Sequence, residues 1–434
     1  AYHMMDRLVW RGGYGVFYQH YSRIGSESLI QLNQPFLNDI QVNDSTTPIF
    51  QLQNGFPASI TQITPALPGV QIRAQDPNQR SGYVEQTSFG PEIEISNNSV
   101  LSLSYIGNWA RKMNRLRNYN QGVVTGFDAA GCPTLSFPYP NLNTVSSVDT
   151  LVTASPLKCA LGGQHAFLEY ATNDGISNYN ALDVSYRRSF SKGVSYAVNY
   201  TWSHGLADFG SNLTGGTFPQ NAYNYGNQYS NSILDVAHRF VSNFIWELPF
   251  GTGRRFLSGG GAANLVLGGW QFNGIVTLQT GSPFSITTSS SNNPNGQQSG
   301  VTLLANCIGD PFAGTTDNAS SYTTTGRFIS ASGFSTPAPG RFGSCPPLAF
   351  HGPGIEDVDL SLFKEFRFKE RYRLQFRSEF FNAFNHPNFA NPNANIANPG
   401  SFGLVTSTLA PILGAGSGGP GDPREIQLAL KLYF

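Results

Sequence analysis

Asp357 and Asp359 are the closest thing in this chain to a catalytic pair. Two carboxylates at short range can share the acid and base roles of glycoside hydrolysis. Both fall in an alternating run over about 355–367, where residues two apart face the same way. Arg239, Glu247, Arg373, Arg377 and Glu379 occupy the same face of neighbouring runs. Such a face reads as a wet, charged wall in which the two aspartates are hydrogen-bonded to neighbouring arginines, and no catalytic role is assigned. An oily core would charge several kcal/mol for each unpaired ion, whereas water or a polar plug accepts them. The remaining chemistry-bearing patterns are weak. Gly414-Ala-Gly-Ser-Gly-Gly419 has the spacing of a dinucleotide-binding loop but sits in a Pro-flanked segment without a strand-to-helix transition. His-Glu-x-x-His and Gly-x-Ser-x-Gly do not occur, and the 7 histidines are dispersed. His204, His238 and His386, near the ends of strand patterns, read as structural or interfacial. The chain is therefore expected not to be an enzyme, with no catalytic residue, cofactor or metal site.

The elements that carry these residues are strands. Only 12% of the 434 residues are charged, against ~25% in ordinary soluble domains. Aromatics reach 13%, with 47 Gly and 27 Pro. The 26 basic and 26 acidic side chains cancel and no Lys/Arg run occurs, which argues against a nucleic-acid partner. No window approaches ~18 consecutive apolar residues, so a helical membrane span is excluded.

Period-two alternation recurs throughout. Val194, Tyr196, Val198, Tyr200 and Trp202 oppose Ser195, Ala197, Asn199, Thr201 and Ser203. Tyr372, Leu374, Phe376 and Phe380 oppose Arg373, Gln375, Arg377 and Glu379. Ile426, Leu428, Leu430, Leu432 and Phe434 oppose Glu425, Gln427, Ala429, Lys431 and Tyr433. With similar runs near 7–20, 81–95, 98–110, 178–190, 235–248, 267–280 and 355–367, the pattern predicts ten strands of 10–15 residues. That is longer than the usual 5–6 and suits a tilted bilayer crossing.

Connections alternate between short and long. Short turns lie at 96–99, 190–193 and around 369–370, with a medium one at 249–266. Long polar segments fill 21–80, 111–177, 207–234, 281–354 and 386–422. Outer-membrane barrels have this asymmetry, with short periplasmic turns and long extracellular loops. Trp109, Trp202, Trp246, Trp270, Tyr200 and Phe434 fall near strand ends, as interfacial girdles do. The expected fold is thus all-β, a transmembrane antiparallel β-barrel in contact with the lipid bilayer. A soluble β-sandwich is the bland alternative.

Several segments carry a family resemblance: Arg11-Gly-Gly-Tyr-Gly-Val-Phe-Tyr18, Tyr179-Asn-Ala-Leu-Asp-Val-Ser-Tyr-Arg-Arg188 with Tyr200-Thr-Trp-Ser-His204, and Asp235-Val-Ala-His-Arg-Phe240 with Glu247-Leu-Pro-Phe-Gly251. Gly269-Trp-Gln-Phe-Asn-Gly274, Arg377-Ser-Glu-Phe-Phe-Asn-Ala-Phe-Asn-His-Pro387 and Arg424-Glu-Ile-Gln-Leu-Ala-Leu-Lys-Leu-Tyr-Phe434 continue it. Together they resemble the C-terminal barrel of Oar-like TonB-dependent receptors. The resemblance implies a Gram-negative outer-membrane receptor that imports a scarce ligand, with energy relayed by TonB. Family barrels have about 22 strands around an N-terminal plug. Residues 1–434 would then be one partial barrel domain, the C-terminal ten strands, with the plug and the TonB contact in an N-terminal part not included in the chain.

Two further features complete the expectations. The last strand, with Ile426, Leu428, Leu430, Leu432 and terminal Phe434, has the form of an outer-membrane assembly signal, read by the assembly machinery through its exposed edge. The 4 cysteines fall in the long segments, Cys132 and Cys159 in one and Cys307 and Cys345 in another. Of three possible pairings, pairing within each segment is the economical one, in a compartment that permits disulfides. Loops rich in Asn, Gln, Ser, Thr, Tyr and Phe at 21–80, 111–177 and 281–354 are expected to form an outer vestibule for an oligosaccharide, peptide or chelate. A surface adhesin or passive pore is the alternative function.

Overall fold

A computed structural model of the chain describes residues 1–18, 72–129, 131–140, 168–208, 219–259, 261–288, 301–315, 326–368, 372–409 and 421–434. Cys159, the turn at 369–370 and the glycine-rich stretch at 414–419 lie outside the described residues.

Alternation of the kind seen from Val194 to Trp202 builds one 13-stranded sheet among the described residues: the short strands Ile72–Gln75 and Ser230–Asn231 pair off to its side, and the rest follow one path in which chain order and spatial order coincide. The strands of this path are β1 (Tyr2–Met5), β2 (Leu8–Tyr18), β3 (Tyr83–Ser96), β4 (Ser99–Asn118) and β5 (Leu168–Ser191). They continue as β6 (Val194–Ala207), β7 (His238–Glu247), β8 (Trp270–Gln279), β9 (Ile355–Phe368), β10 (Tyr372–Phe381) and β11 (Glu425–Tyr433). Each pairs antiparallel with the next. Among the described residues, the sheet is not closed, since β1 and β11 stand at opposite ends of the path.

Register sorts the side chains. Phe376 pairs with Leu430 and Lys364, and Leu374 with Leu432 and Phe366, on one face. Gln375 pairs with Lys431 and Glu365, and Glu379 with Gln427 and Ser361, on the other. Following the pairings strand by strand, the first face collects Val198, Phe240, Phe272, Val276, Leu360 and Leu362. On this apolar face Phe244 lies across Gly274, where an added Cβ would stand 2.6 Å from the ring. Trp246 pairs with Val194, and Trp202 lies eight residues further along the same strand. That separation is about 26 Å of extended chain, matching an apolar band ~25 Å tall bounded by aromatic girdles.

The short turns have the chemistry that hairpins need. Between β5 and β6, Lys192 and Gly193 both adopt positive φ, 52° and 83°, the backbone of a primed two-residue turn. At the opposite end of β10, Asn382 and Asn385 take φ of 44° and 54°. The Asn382 side chain donates to the carbonyls of His386 and Asp422 and accepts from the His386 amide. Asn385 Oδ1 accepts from the Arg424 amide at 3.0 Å. Asn388 brackets Glu356, accepting from its amide and donating to its carbonyl. The Asn-rich motif after β10 thus pins the outer ends of β9, β10 and β11 together.

Two features depart from the sequence expectation. The wall has an eleventh strand, β1, whose four residues are too few to show alternation. The segment expected as loop from 111 is strand to Asn118, and β5 begins at Leu168 rather than 178. With 24 residues, β5 is about 80 Å long, so the β4–β5 ribbon rises well past any bilayer. Breaks in the β4–β5 register between Ala110, Met113 and Arg115, with Lys112 at φ 55°, disrupt the period there.

A buried apolar cluster lies outside the wall. Phe284, Ile286, Ala305, Phe328, Ile329, Phe334, Cys345 and Phe402 form a buried cluster drawn from the β8–β9 and β10–β11 connections. Phe334 meets Phe350 and Phe402 edge to face, with ring centroids 5.5 and 5.7 Å apart. Where described, residues 281–354 of the expected outer vestibule contribute to a packed outer lobe.

Candidate functional site

The seven charges singled out in the sequence share the polar face. Asp357 pairs with Thr277 and Asp359 with Ile275; Arg239 pairs with Gln279, Glu247 with Gln271, and Arg377 with Phe363. They do not form one network. Glu247 is joined to Arg254 of the following turn, and Glu365, missed in the sequence, to Arg367 and more distantly to Arg373 at 3.9 Å. Arg377 donates to Gln375 at 2.7 Å and lies over the Phe363 ring. Asp359 accepts from the Asn382 amide at 2.9 Å. The arginine partners expected for Asp357 and Asp359 are not found: among the described residues neither makes an ion pair. A strand presents its side chains perpendicular to the sheet, so long arginines reach diagonal neighbours more readily than short aspartates do.

A second cluster stands at the outer end of the β4–β5 ribbon. Arg115, with a side chain 6% exposed, is paired with Asp174 at 2.8 Å and Asp208 at 2.9 Å. Its guanidinium lies 3.6 Å above the Tyr225 ring. Arg117 lies over Tyr119, Tyr170 and Tyr225. Burial pushes the Tyr225 phenol above its ordinary range, and the two guanidinium groups oppose that rise. Beside them is a polar cleft of about 290 Å³ whose lining includes Asp76, Arg80, Lys112, Arg117, Asn173 and Asp174. Such walls suit a ligand with many hydrogen-bonding groups rather than an apolar one. No alternation marks these residues in the sequence, because the register breaks near Lys112 hide it.

The outer lobe is tied to the wall by polar contacts. Asp235, 1% exposed, accepts from the Gly205 amide and meets His351 Nε2 at 3.0 Å and His204 Nδ1 at 3.5 Å. Of the histidines noted in the sequence, His204 thus contacts Asp235. His238 Nδ1 meets the Tyr200 hydroxyl at 2.8 Å, and His386 Nε2 stands 3.8 Å from Glu356. Cys307 and Cys345 are joined by a disulfide spanning 38 residues of sequence, inside the lobe. Cys132 is also disulfide-bonded. Among the described residues, no group of three or more His, Cys, Asp or Glu side chains is placed to hold a metal ion.

A consecutive antiparallel wall with one apolar face, aromatic girdles and long connections on one end is what a strand-built membrane protein requires. The family model for the outer membrane beta barrel domain matches residues 1–427. The chain belongs to that family. This barrel domain lies in the outer membrane. No protein with a curated description matches it. Among solved structures, it is similar to the outer membrane transporter YddB from Escherichia coli at 9% identity and a TM-score of 0.39, covering 84% of this chain and 34% of that one. It is also similar to the FrpB iron transporter from Neisseria meningitidis (F3-3 variant) at 10% identity and a TM-score of 0.35, covering 84% and 33%. The barrel domain thus spans about a third of the length of these transporters.

Proposed function

We propose that the barrel domain is the C-terminal part of the wall of a TonB-dependent outer-membrane receptor. Its outer connections would bind a scarce ligand, an oligosaccharide, peptide or chelate, for uptake. The observation that carries this reading is the polar face. Asp357 and Asp359 stand on it without ion-pair partners among the described residues. Unpaired carboxylates need water or a polar body against them. In a receptor of this class that body is a plug, which would belong to an N-terminal part along with the TonB contact. The sequence segments around Arg11, Tyr179, Asp235, Gly269 and Arg377 support the Oar-like subtype by resemblance. The polar cleft at the outer end of the β4–β5 ribbon, lined by Arg80, Lys112, Arg117 and Asp174 beside the buried Arg115–Tyr225 pair, supports ligand capture there.

Planar-bilayer recording on the full-length protein tests the reading. A plugged receptor gives no steady current until the plug is removed or unfolded with urea, and it binds the periplasmic domain of TonB in a pull-down. A steady ion current from the intact protein, without TonB binding, replaces it with a passive pore. A closed barrel that neither conducts nor binds TonB favours an adhesin.

A further inference from the structure

The connection between β7 and β8 contains the one α-helix among the described residues, α1 (Ala262–Leu267). Its sequence, Ala-Ala-Asn-Leu-Val-Leu, is apolar except for Asn264, yet none of its residues is buried. Leu265, Val266 and Leu267 are 58%, 63% and 49% exposed. Phe256 and Leu257 of the same connection are exposed as well. In water such a helix gains nothing from its apolar side chains, and six residues cannot hold a helix by backbone hydrogen bonds alone.

What holds α1 is the apolar face of the wall. Trp270 Nε1 donates to the Val266 carbonyl at 2.8 Å. Lys364 Nζ donates to the Val266 carbonyl at 3.3 Å and to the Gly268 carbonyl. Trp270 and Lys364 are register partners on β8 and β9, on the side that carries Phe272 and Leu362. Lys364 is only 3% exposed and lies between the Trp270 and Phe366 rings, 5.4 and 5.1 Å from their centres. A cation on a lipid-facing strand is costly unless it reaches polar groups. Here it meets the C-terminal carbonyls and negative dipole end of α1, so each relieves the other.

We propose that α1 is an interfacial helix, lying in the polar–apolar boundary of the membrane on the short-turn side with Leu265, Val266 and Leu267 inserted among the acyl chains. The occupant of its exposed face is phospholipid. The reason is continuity: α1 is fastened to the same wall face as Trp246, Trp270 and Phe366, which already form the girdle at that end. Apolar side chains at the acyl boundary on a short helix are what monotopic anchors use. The proposal rests on the lipid-facing assignment of that wall, made above.

Single-cysteine labelling of the full-length protein in liposomes of phosphatidylethanolamine and phosphatidylglycerol separates the two claims. An environment-sensitive fluorophore is placed at L265C or V266C, with L430C and K431C as wall controls, and is quenched by lipids brominated at shallow acyl positions. The native cysteines held in disulfides do not take the label. Quenching at L265C and V266C equal to that at L430C, against little at K431C, is the expected result. Quenching at L430C but at neither helix position overturns the interfacial helix and leaves the wall intact, pointing to a water-facing or protein-covered helix. Absence of quenching at L430C overturns both. K364M supplies a second reading that needs no label on the helix. It should leave barrel insertion intact but lower amide protection of Gly268 and Leu267 at least tenfold, and unchanged protection counts against the lysine's role in seating α1.

Discussion

Gln220 and Gly343 are hydrogen-bonded in both directions across 123 residues of sequence: Gln220 Nε2 donates to the Gly343 carbonyl at 2.7 Å, and the Gly343 amide donates to Gln220 Oε1 at 3.2 Å. The same side-chain oxygen also accepts from the Leu304 amide at 3.4 Å. One amide thereby replaces the partners that two strands of backbone would otherwise lack. Gln220→Leu keeps the volume but strands these groups in a buried place, at about 1–3 kcal/mol. Hydrogen exchange should show the Gly343 and Leu304 amides losing protection, while amides of β6 and β7 keep theirs.

The Cys307–Cys345 bond closes a long loop within the same lobe. Replacing both residues by serine should destabilise the lobe by about 3–4 kcal/mol, the loop-closure scale for this length. Limited proteolysis of intact cells should then cut between these positions, with the amount of inserted barrel unchanged. Equal resistance in the serine variant would show that the packed aromatic cluster suffices alone.

Asn388, 1% exposed, satisfies both backbone groups of Glu356 at the start of β9. Asn388→Ala removes both partners at once and should cost about 2 kcal/mol or more, with fraying of the outer ends of β9 and β10. Asn388→Asp retains the acceptor and should be intermediate. The readout is protection of the Glu356 amide.

The two faces of the wall can be read directly. Spin labels at Val198, Leu374 and Leu430 should relax with lipid-soluble oxygen, and labels at Asn199, Gln375 and Lys431 with a water-soluble nickel complex. An aqueous signal at the first three positions in intact cells removes the membrane wall and everything argued from it.

Phe434 is 88% exposed at the end of β11, whose outward Leu428, Leu430 and Leu432 are also open. Deleting Phe434 from the full-length protein should lower its yield in the outer membrane several-fold, seen as loss of heat-modifiable mobility on gels. Normal yield would mean that the strand's alternation alone is enough for assembly.

The wall was legible because its chemistry repeats. Val194 to Trp202 alternates without a break, and so does Ile426 to Leu432. The family model over residues 1–427 agrees with that regularity. The lobe was not legible. Phe284, Ile286, Phe328, Ile329 and Phe402 come from segments where Ser, Thr, Asn and Gly set no period, and they meet only through the fold. Arg115 was missed for a related reason: two register breaks in four residues turn its side chain out of phase with the strand. Asp357 and Asp359 were placed on the correct face, but their partners depend on side-chain reach, which a one-dimensional pattern does not encode.

The lacing of three outer connections into one lobe has a mechanical consequence. Asp235 holds His351, Gln220 holds Gly343, and Phe402 packs on Phe334, so the β6–β7, β8–β9 and β10–β11 connections share their footing. A push on any one of them is felt by the other two, and a displacement that would be cheap for a lone finger becomes costly for a fist.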